Sequence, residues 1–233
     1  LLAWKGWGVH DRQTRWNEQL PLPPTPQLQA GSRLRENQNP WAEPFLEIDH
    51  APGYLAGIEW RYARQASIQI ARYDNHTDPT ISADGQYGWE TYFDQLALQI
   101  SLPWNLGLMA QWMTGNTKMG NYIPFFGSHA VDNDYDARYV MLTRMQDGHR
   151  FTVRYDDFSV DDLDGLPMDD NDESGDALTL AYIYDYSRNL QLAVEWLQVD
   201  SVRPAREYIG LPSSSTETMV RAQLRWKLLD HSD

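Results

Sequence analysis

Short turns alternate with far longer connections along this 233-residue chain, and few folds permit that rhythm. Four short turns can be read: Ala63-Arg64-Gln65, Pro103-Trp104-Asn105, Gln146-Asp147-Gly148-His149 and Ser187-Arg188-Asn189. Each sits between two runs of period 2, so each reads as a hairpin. The connections between the hairpins run over about 74–88, 115–134, 161–175 and 200–217. A fifth, about 11–44, is rich in Pro, Gln and Asn. Compact soluble domains seldom mix such turns with such loops. An antiparallel up-and-down sheet does so when its short turns gather at one end and its long loops at the other.

The runs between turns have the length and pattern of spanning strands, ~9–11 residues each. Leu178, Leu180, Tyr182, Tyr184 and Tyr186 alternate with Ala177, Thr179, Ala181, Ile183 and Asp185. Leu190, Leu192, Val194 and Trp196 alternate with Gln191, Ala193 and Glu195. The clearest run sets Thr218, Val220, Ala222, Leu224, Trp226 and Leu228 against Arg221, Gln223, Arg225 and Lys227. Tyr54 to Ala63, Gln95 to Leu102, Leu106 to Trp112 and Phe151 to Asp156 alternate in the same way. Between Tyr135 and Met145 the expected apolar set is Ala137, Tyr139, Met141 and Thr143, which leaves Arg138 and Arg144 on the polar side. In Ser67 to Tyr73, Ile68 and Ile70 share the apolar side, and strict alternation then adds Arg72 to it unless a bulge or an exit at the rim intervenes. With the opening segment the count is about ten strands, which either close alone or form the C-terminal part of a larger barrel. The chain opens abruptly on a strand-like run at Leu1, which predicts sequence upstream of it.

Composition excludes several classes. No stretch approaches the ~18 consecutive apolar residues of a membrane helix. Mean hydropathy is −0.61, which a barrel tolerates because only alternate residues meet lipid. There is no cysteine, so disulfides and thiolate metal sites are out. A net charge of −14 argues against nucleic acid as a partner. Ten Trp and thirteen Tyr suit a membrane–water interface, and equally an ordinary all-β protein. Alternation alone does not say which face of the sheet is inside, so a soluble sandwich or calyx stays open beside the membrane barrel. Arginines within the polar faces and aromatics at strand ends favour the barrel.

On these residues, from about Pro44 to Leu229, the chain resembles Gram-negative outer-membrane porin-type barrels. Its last run, Thr218 to Leu229, is similar to the C-terminal strand by which such barrels are assembled, although Asp230-His231-Ser232-Asp233 follow where the family ends on an aromatic residue. The resemblance implies one all-β domain over residues 1–233, a transmembrane antiparallel up-and-down barrel in the bacterial outer membrane. It implies contact with lipid and lipopolysaccharide, passive diffusion of small hydrophilic solutes, and a homotrimer as the assembly.

The candidate pore lining is Glu59, Arg61, Arg138, Arg144, Arg154, Asp156, Glu195, Arg221, Arg225 and Lys227. Fixed charge biases ion passage, and the basic excess predicts a preference for anions. The alternative is a narrow, plugged barrel whose charges pair across strands, acting as an anchor or adhesin through its loops. The acidic run Asp161 to Asp176 offers oxygen ligands for Ca²⁺, or for divalent bridging to lipopolysaccharide, but lacks the Gly and Glu positions of an EF-hand. A solvated loop explains it as well, so no cofactor is expected beyond that Ca²⁺. The apolar stretch Asn121 to Gly127 is a candidate constriction loop or a packing contact. An outer-membrane hydrolase is the remaining alternative. The six His, Asp49-His50 included, form no catalytic spacing and no Gly-x-Ser-x-Gly occurs, so the reading is not an enzyme.

Overall fold

The computed structural model describes residues 13–14, 41–42, 48–63, 65–83, 86–166 and 170–227. The expected strand start at Leu1, most of the 11–44 connection, Arg64, Pro167 to Asp169 and the tail from Leu228 lie outside these residues.

The fold is all-β. In chain order the strands are β1 (Gln13–Thr14), β2 (Trp41–Ala42), β3 (Tyr54–Tyr62), β4 (Ala66–Asp74), β5 (Ser82–Ala83) and β6 (Gln86–Tyr87). Then follow β7 (Trp89–Leu102), β8 (Leu106–Ile123), β9 (Ser128–Gln146), β10 (His149–Asp162), β11 (Glu173–Asp185), β12 (Leu190–Val202) and β13 (Ser214–Trp226). Two short pairs, β1 with β2 and β5 with β6, stand apart. The other nine strands form one antiparallel sheet in which each pairs with its sequence neighbours, from β3 at one edge to β13 at the other.

Among the described residues nothing pairs β3 with β13, so the sheet is not closed. Nine strands replace the expected ten in the sheet, because the opening segment counted as the tenth contributes none among the described residues. An odd number makes the two edge strands run in the same direction.

All four predicted short turns are hairpin turns. Tyr62 pairs with Ala66, Leu102 with Leu106, Gln146 with His149, and Asp185 with Gln191. Asp147 and Gly148 both have positive φ (50° and 81°), as the primed two-residue turn of a twisted hairpin demands. Trp104 and Asn105 (62° and 57°) repeat that geometry after Pro103.

The expected long connections prove shorter. The 115–134 connection is mostly strand: β8 and β9 continue their ladder to Ile123 and Ser128, leaving only 124–127 as a turn. Cross-strand polar contacts explain this. The Asn116 amide donates to Asp132 and Asp134, both at 2.8 Å, and Lys118 is opposite Asp132. The 161–175 connection shrinks to 163–172, and 200–217 to 203–213, which includes a 3-10 helix Pro204–Ile209. Only 74–88 keeps its predicted extent. Here Asp78 accepts from the Thr80 N–H and hydroxyl (2.9 and 2.7 Å), which hold its carboxyl below the usual range, and Gly120 of β8 donates to the Pro79 carbonyl at 2.7 Å.

The turns are staggered. The Tyr62 row continues through Ala66 to Ile100, yet β7 ends two residues lower at Leu102. The Leu102 row continues through Leu106 to Arg144, and β9 ends two residues lower at Gln146. The Gln146 row passes through His149 and Tyr184 to Leu192, and β12 begins two residues lower at Leu190. That is about 20 Å of drop over roughly 29 Å of sheet, so a line through the turns meets the strands as if they were tilted by about 35°.

Gly148 sits at φ 81°, and an added Cβ would lie 3.2 Å from the Asp185 carbonyl. Gly148→Val is therefore expected to destabilise the fold by roughly 1–2 kcal/mol, read from denaturant titration by circular dichroism. Gly107→Ala, with open space around its Cβ, should change it little.

Candidate functional site

Residues paired directly across an antiparallel ladder project to the same face, so the register sorts every strand residue. One face is apolar over its turn-side half. A single row there reads Tyr62, Ala66, Ile100, Leu108, Leu142, Val153, Leu180, Trp196 and Val220 from edge to edge. Toward the loops the same face turns polar, with Asp94, Asp136, Asp157, Asp176 and Asp200. The opposite face carries glutamines, small residues and charged pairs.

Across β9 to β12 burial runs opposite to that of a soluble sheet. On the apolar face Val140, Leu142, Val153, Tyr155, Leu178 and Leu180 are exposed. Their neighbours on the polar face, Tyr139, Met141, Thr152, Arg154, Thr179 and Ala181, are half-buried. Among the described residues the buried apolar side chains are only Ala71, Ala177 and Ala205. A single sheet with no second layer has no hydrophobic core of its own, and among the described residues no second layer covers this one.

The polar face receives Glu59, Arg61, Arg154, Asp156, Glu195, Arg221 and Arg225 as expected. Lys227 lies just past β13, its N–H on the Asn189 carbonyl at 2.9 Å. Arg138 and Arg144 do not join them. Val140 pairs with Ala110 and Tyr155, and Leu142 with Leu108 and Val153, which puts the even-numbered residues of β9 on the apolar face. Arg138 stands at the upper margin of the apolar zone, its Nε 2.9 Å from Asp157, and Arg144 at the turn end, 3.1 Å from the Gln146 amide oxygen. The Ala137-Tyr139-Met141 set is on the polar face instead. Arg72 does share the apolar face, without a bulge. It lies loop-ward of Ile70, bonded to Asp94 at 2.8 Å and stacked 5.0 Å from the Tyr92 ring, at the level where this face turns polar.

From the turn ends up to the row of Glu59, Asp156 and Glu217, the polar-face arginines Arg61, Arg150, Arg154, Arg221 and Arg225 are matched in number by Glu59, Asp156, Asp185, Glu195 and Glu217; Asp162 and Glu173 lie on the same face nearer the loops, and Lys227 lies past the turn end of β13. The expected basic excess shrinks when Arg138 and Arg144 leave the set, and Asp162, Glu173, Asp185 and Glu217 on this face offset the rest. Two couples neutralise themselves along one strand: Arg61 to Glu59 (2.6 and 2.7 Å) and Arg154 to Asp156 (2.9 and 3.0 Å). Arg154 also lies 4.1 Å over the Tyr139 ring. Arg221 is directly opposite Glu195.

The acidic run organises its own backbone. Asp162 accepts from the N–H groups of Asp164 (3.0 Å) and Asn171 (2.8 Å), Asp172 from that of Asp162 (2.7 Å), and Asp164 from that of Leu166 (2.8 Å). The Asn121 to Gly127 stretch is not a loop free to fold inward. Tyr122 and Ile123 remain paired with His129 and Ser128, so it forms the tip of the longest hairpin, with Phe125 exposed. His149 and His129 are engaged separately. His149 meets the Tyr182 hydroxyl at 2.7 Å and stacks on Tyr184, while His129 bonds the Gly120 carbonyl at 2.8 Å.

No protein-family model matches the chain, and no curated protein matches it either.

The Arg154–Asp156 couple is partly exposed, so its coupling energy in a double-mutant cycle with Arg154→Met and Asp156→Asn should fall below about 1 kcal/mol. A larger value would mean that the polar face is far drier than its exposure implies.

Proposed function

We propose that this chain forms a transmembrane β-barrel of the bacterial outer membrane, a porin-type passive channel for small hydrophilic solutes. The observation that carries this reading is the inverted burial across β9 to β12, where the apolar rows are the more open and the polar rows the more sheltered. Such a sheet is unfavourable in water, where each Å² of exposed apolar surface costs about 25 cal/mol. It suits a wall with hydrocarbon outside and water inside.

Three further features support it. The turn stagger gives a tilt of roughly 35°, within the range of spanning strands. Tyr62, Trp104, Tyr184, Tyr186 and Trp226 cluster at the turn ends, where an aromatic girdle meets the headgroups. The acidic belt above the apolar zone falls at the level of lipopolysaccharide, which relies on divalent cations. The free edges β3 and β13 run parallel, so antiparallel closure takes an odd number of further strands, and a trimer is the assembly that the porin likeness implies. A second reading, an anchor or adhesin with a filled lumen, draws on the β8–β9 hairpin, which extends well past the apolar zone and exposes Phe125.

Single-channel recording in a planar bilayer tests the reading. Discrete conductance steps with weak ion selectivity are expected, given the balanced charges of the polar face. Arg221→Glu with Arg225→Glu should move the reversal potential toward cation preference. Insertion without conductance favours the filled barrel, and failure to insert removes the membrane reading.

A further inference from the structure

The polar face holds a second kind of surface that its charges do not define. Across β4, β7, β8 and β9 it carries no charged strand residue level with the apolar zone. At its centre is Ala97. Gln69 of β4 and Gln111 of β8 are directly opposite Ala97 on either side. Gln95 and Gln99 flank it along β7 on the same face. Four primary amides thus surround one methyl group, in a patch of roughly 10 by 14 Å by strand spacing and rise.

None of these four amides forms a hydrogen bond among the described residues, whereas the amides of Asn75, Asn116, Gln191 and Gln198 all do. Gln95 and Gln111 are half-buried; Gln69 and Gln99 are exposed. The patch is electrically quiet. The Arg61–Glu59 couple borders it beyond Gln69, and Tyr139 with the Arg154–Asp156 couple borders it beyond Gln111. On the loop side, two residues above Gln95, Phe93 stacks with Tyr73 at 5.1 Å and supplies an apolar ring platform.

We propose that this glutamine quartet binds a neutral saccharide. Each amide offers two donors and an acceptor without charge, in the numbers that adjacent hydroxyls require. The aromatic pair offers a surface for the C–H face of a sugar ring. A charged ligand gains nothing here, because both flanking ion pairs are already satisfied. The proposal names the solute class of the channel reading and rests on that reading only for the ligand's route of access.

Isothermal titration calorimetry on the intact chain in detergent tests it apart from conductance, with maltohexaose as the probe and hexaglutamate as the charged comparison. Saturable binding of maltohexaose and none of hexaglutamate are expected. Gln69→Leu and Gln111→Leu should each weaken binding roughly tenfold. Gln223→Leu, on edge strand β13 far from the patch, should leave it unchanged, and circular dichroism checks that each variant is folded. Absence of maltohexaose binding, or equal binding by the folded leucine variants, overturns the proposal even where single channels open normally. Conversely, quartet-dependent binding by a protein that never conducts retains the site and removes the channel.

Discussion

A strand register that runs through eight interfaces, with one irregularity between Met119 and Tyr122, fixes the side that every strand residue takes. Everything else depends on that ladder. Because side chains alternate with period 2, a slip of one residue in any strand would exchange its two faces. The hairpin turns prevent the slip. Asp147-Gly148 and Trp104-Asn105 close their hairpins in the twisted, positive-φ geometry that fixes strand ends.

The ladder satisfies the backbone, but among the described residues the side chains of one face have no second layer. A soluble sheet normally covers its apolar side with another sheet or with helices. Across β9 to β12 the apolar rows are the more open, and the polar rows are half-buried. The hydrophobic effect therefore contributes little to the isolated sheet in water. It acts fully only when the open face is removed from water. The edges make a similar demand, since β3 and nearly all of β13 are exposed along their lengths, and unpaired edges of that size invite further strands.

Much of this was legible in the sequence. The turns carried local signals in Asp-Gly and Pro-x-Asn, and alternation in β3, β7, β8 and β10 to β13 named the correct apolar set each time. In β9 it failed, because Arg138 and Arg144 flank Val140 and Leu142 on one side while Ala137, Tyr139, Met141 and Thr143 on the other carry no charge, and only pairing with β8 and β10 decides. The hairpin over 115–134 was missed because Asn, Asp and Gly have low strand propensity; its stability comes from contacts such as Asn116 with Asp132 and Asp134. The glutamine quartet leaves no local trace at all. Residues 69, 95, 99 and 111 become neighbours only through the register of three strands.

The account stands on which face meets hydrocarbon. Because the chain has no cysteine, single cysteines at Val153, Leu180 and Val194, and at their neighbours Thr152, Ala181 and Ala193, can carry an environment-sensitive fluorophore in lipid vesicles. The account predicts blue-shifted emission, quenched by lipid-borne quenchers, at Val153, Leu180 and Val194, and aqueous emission at the other three. Aqueous emission at all six, or the reverse alternation, would contradict it.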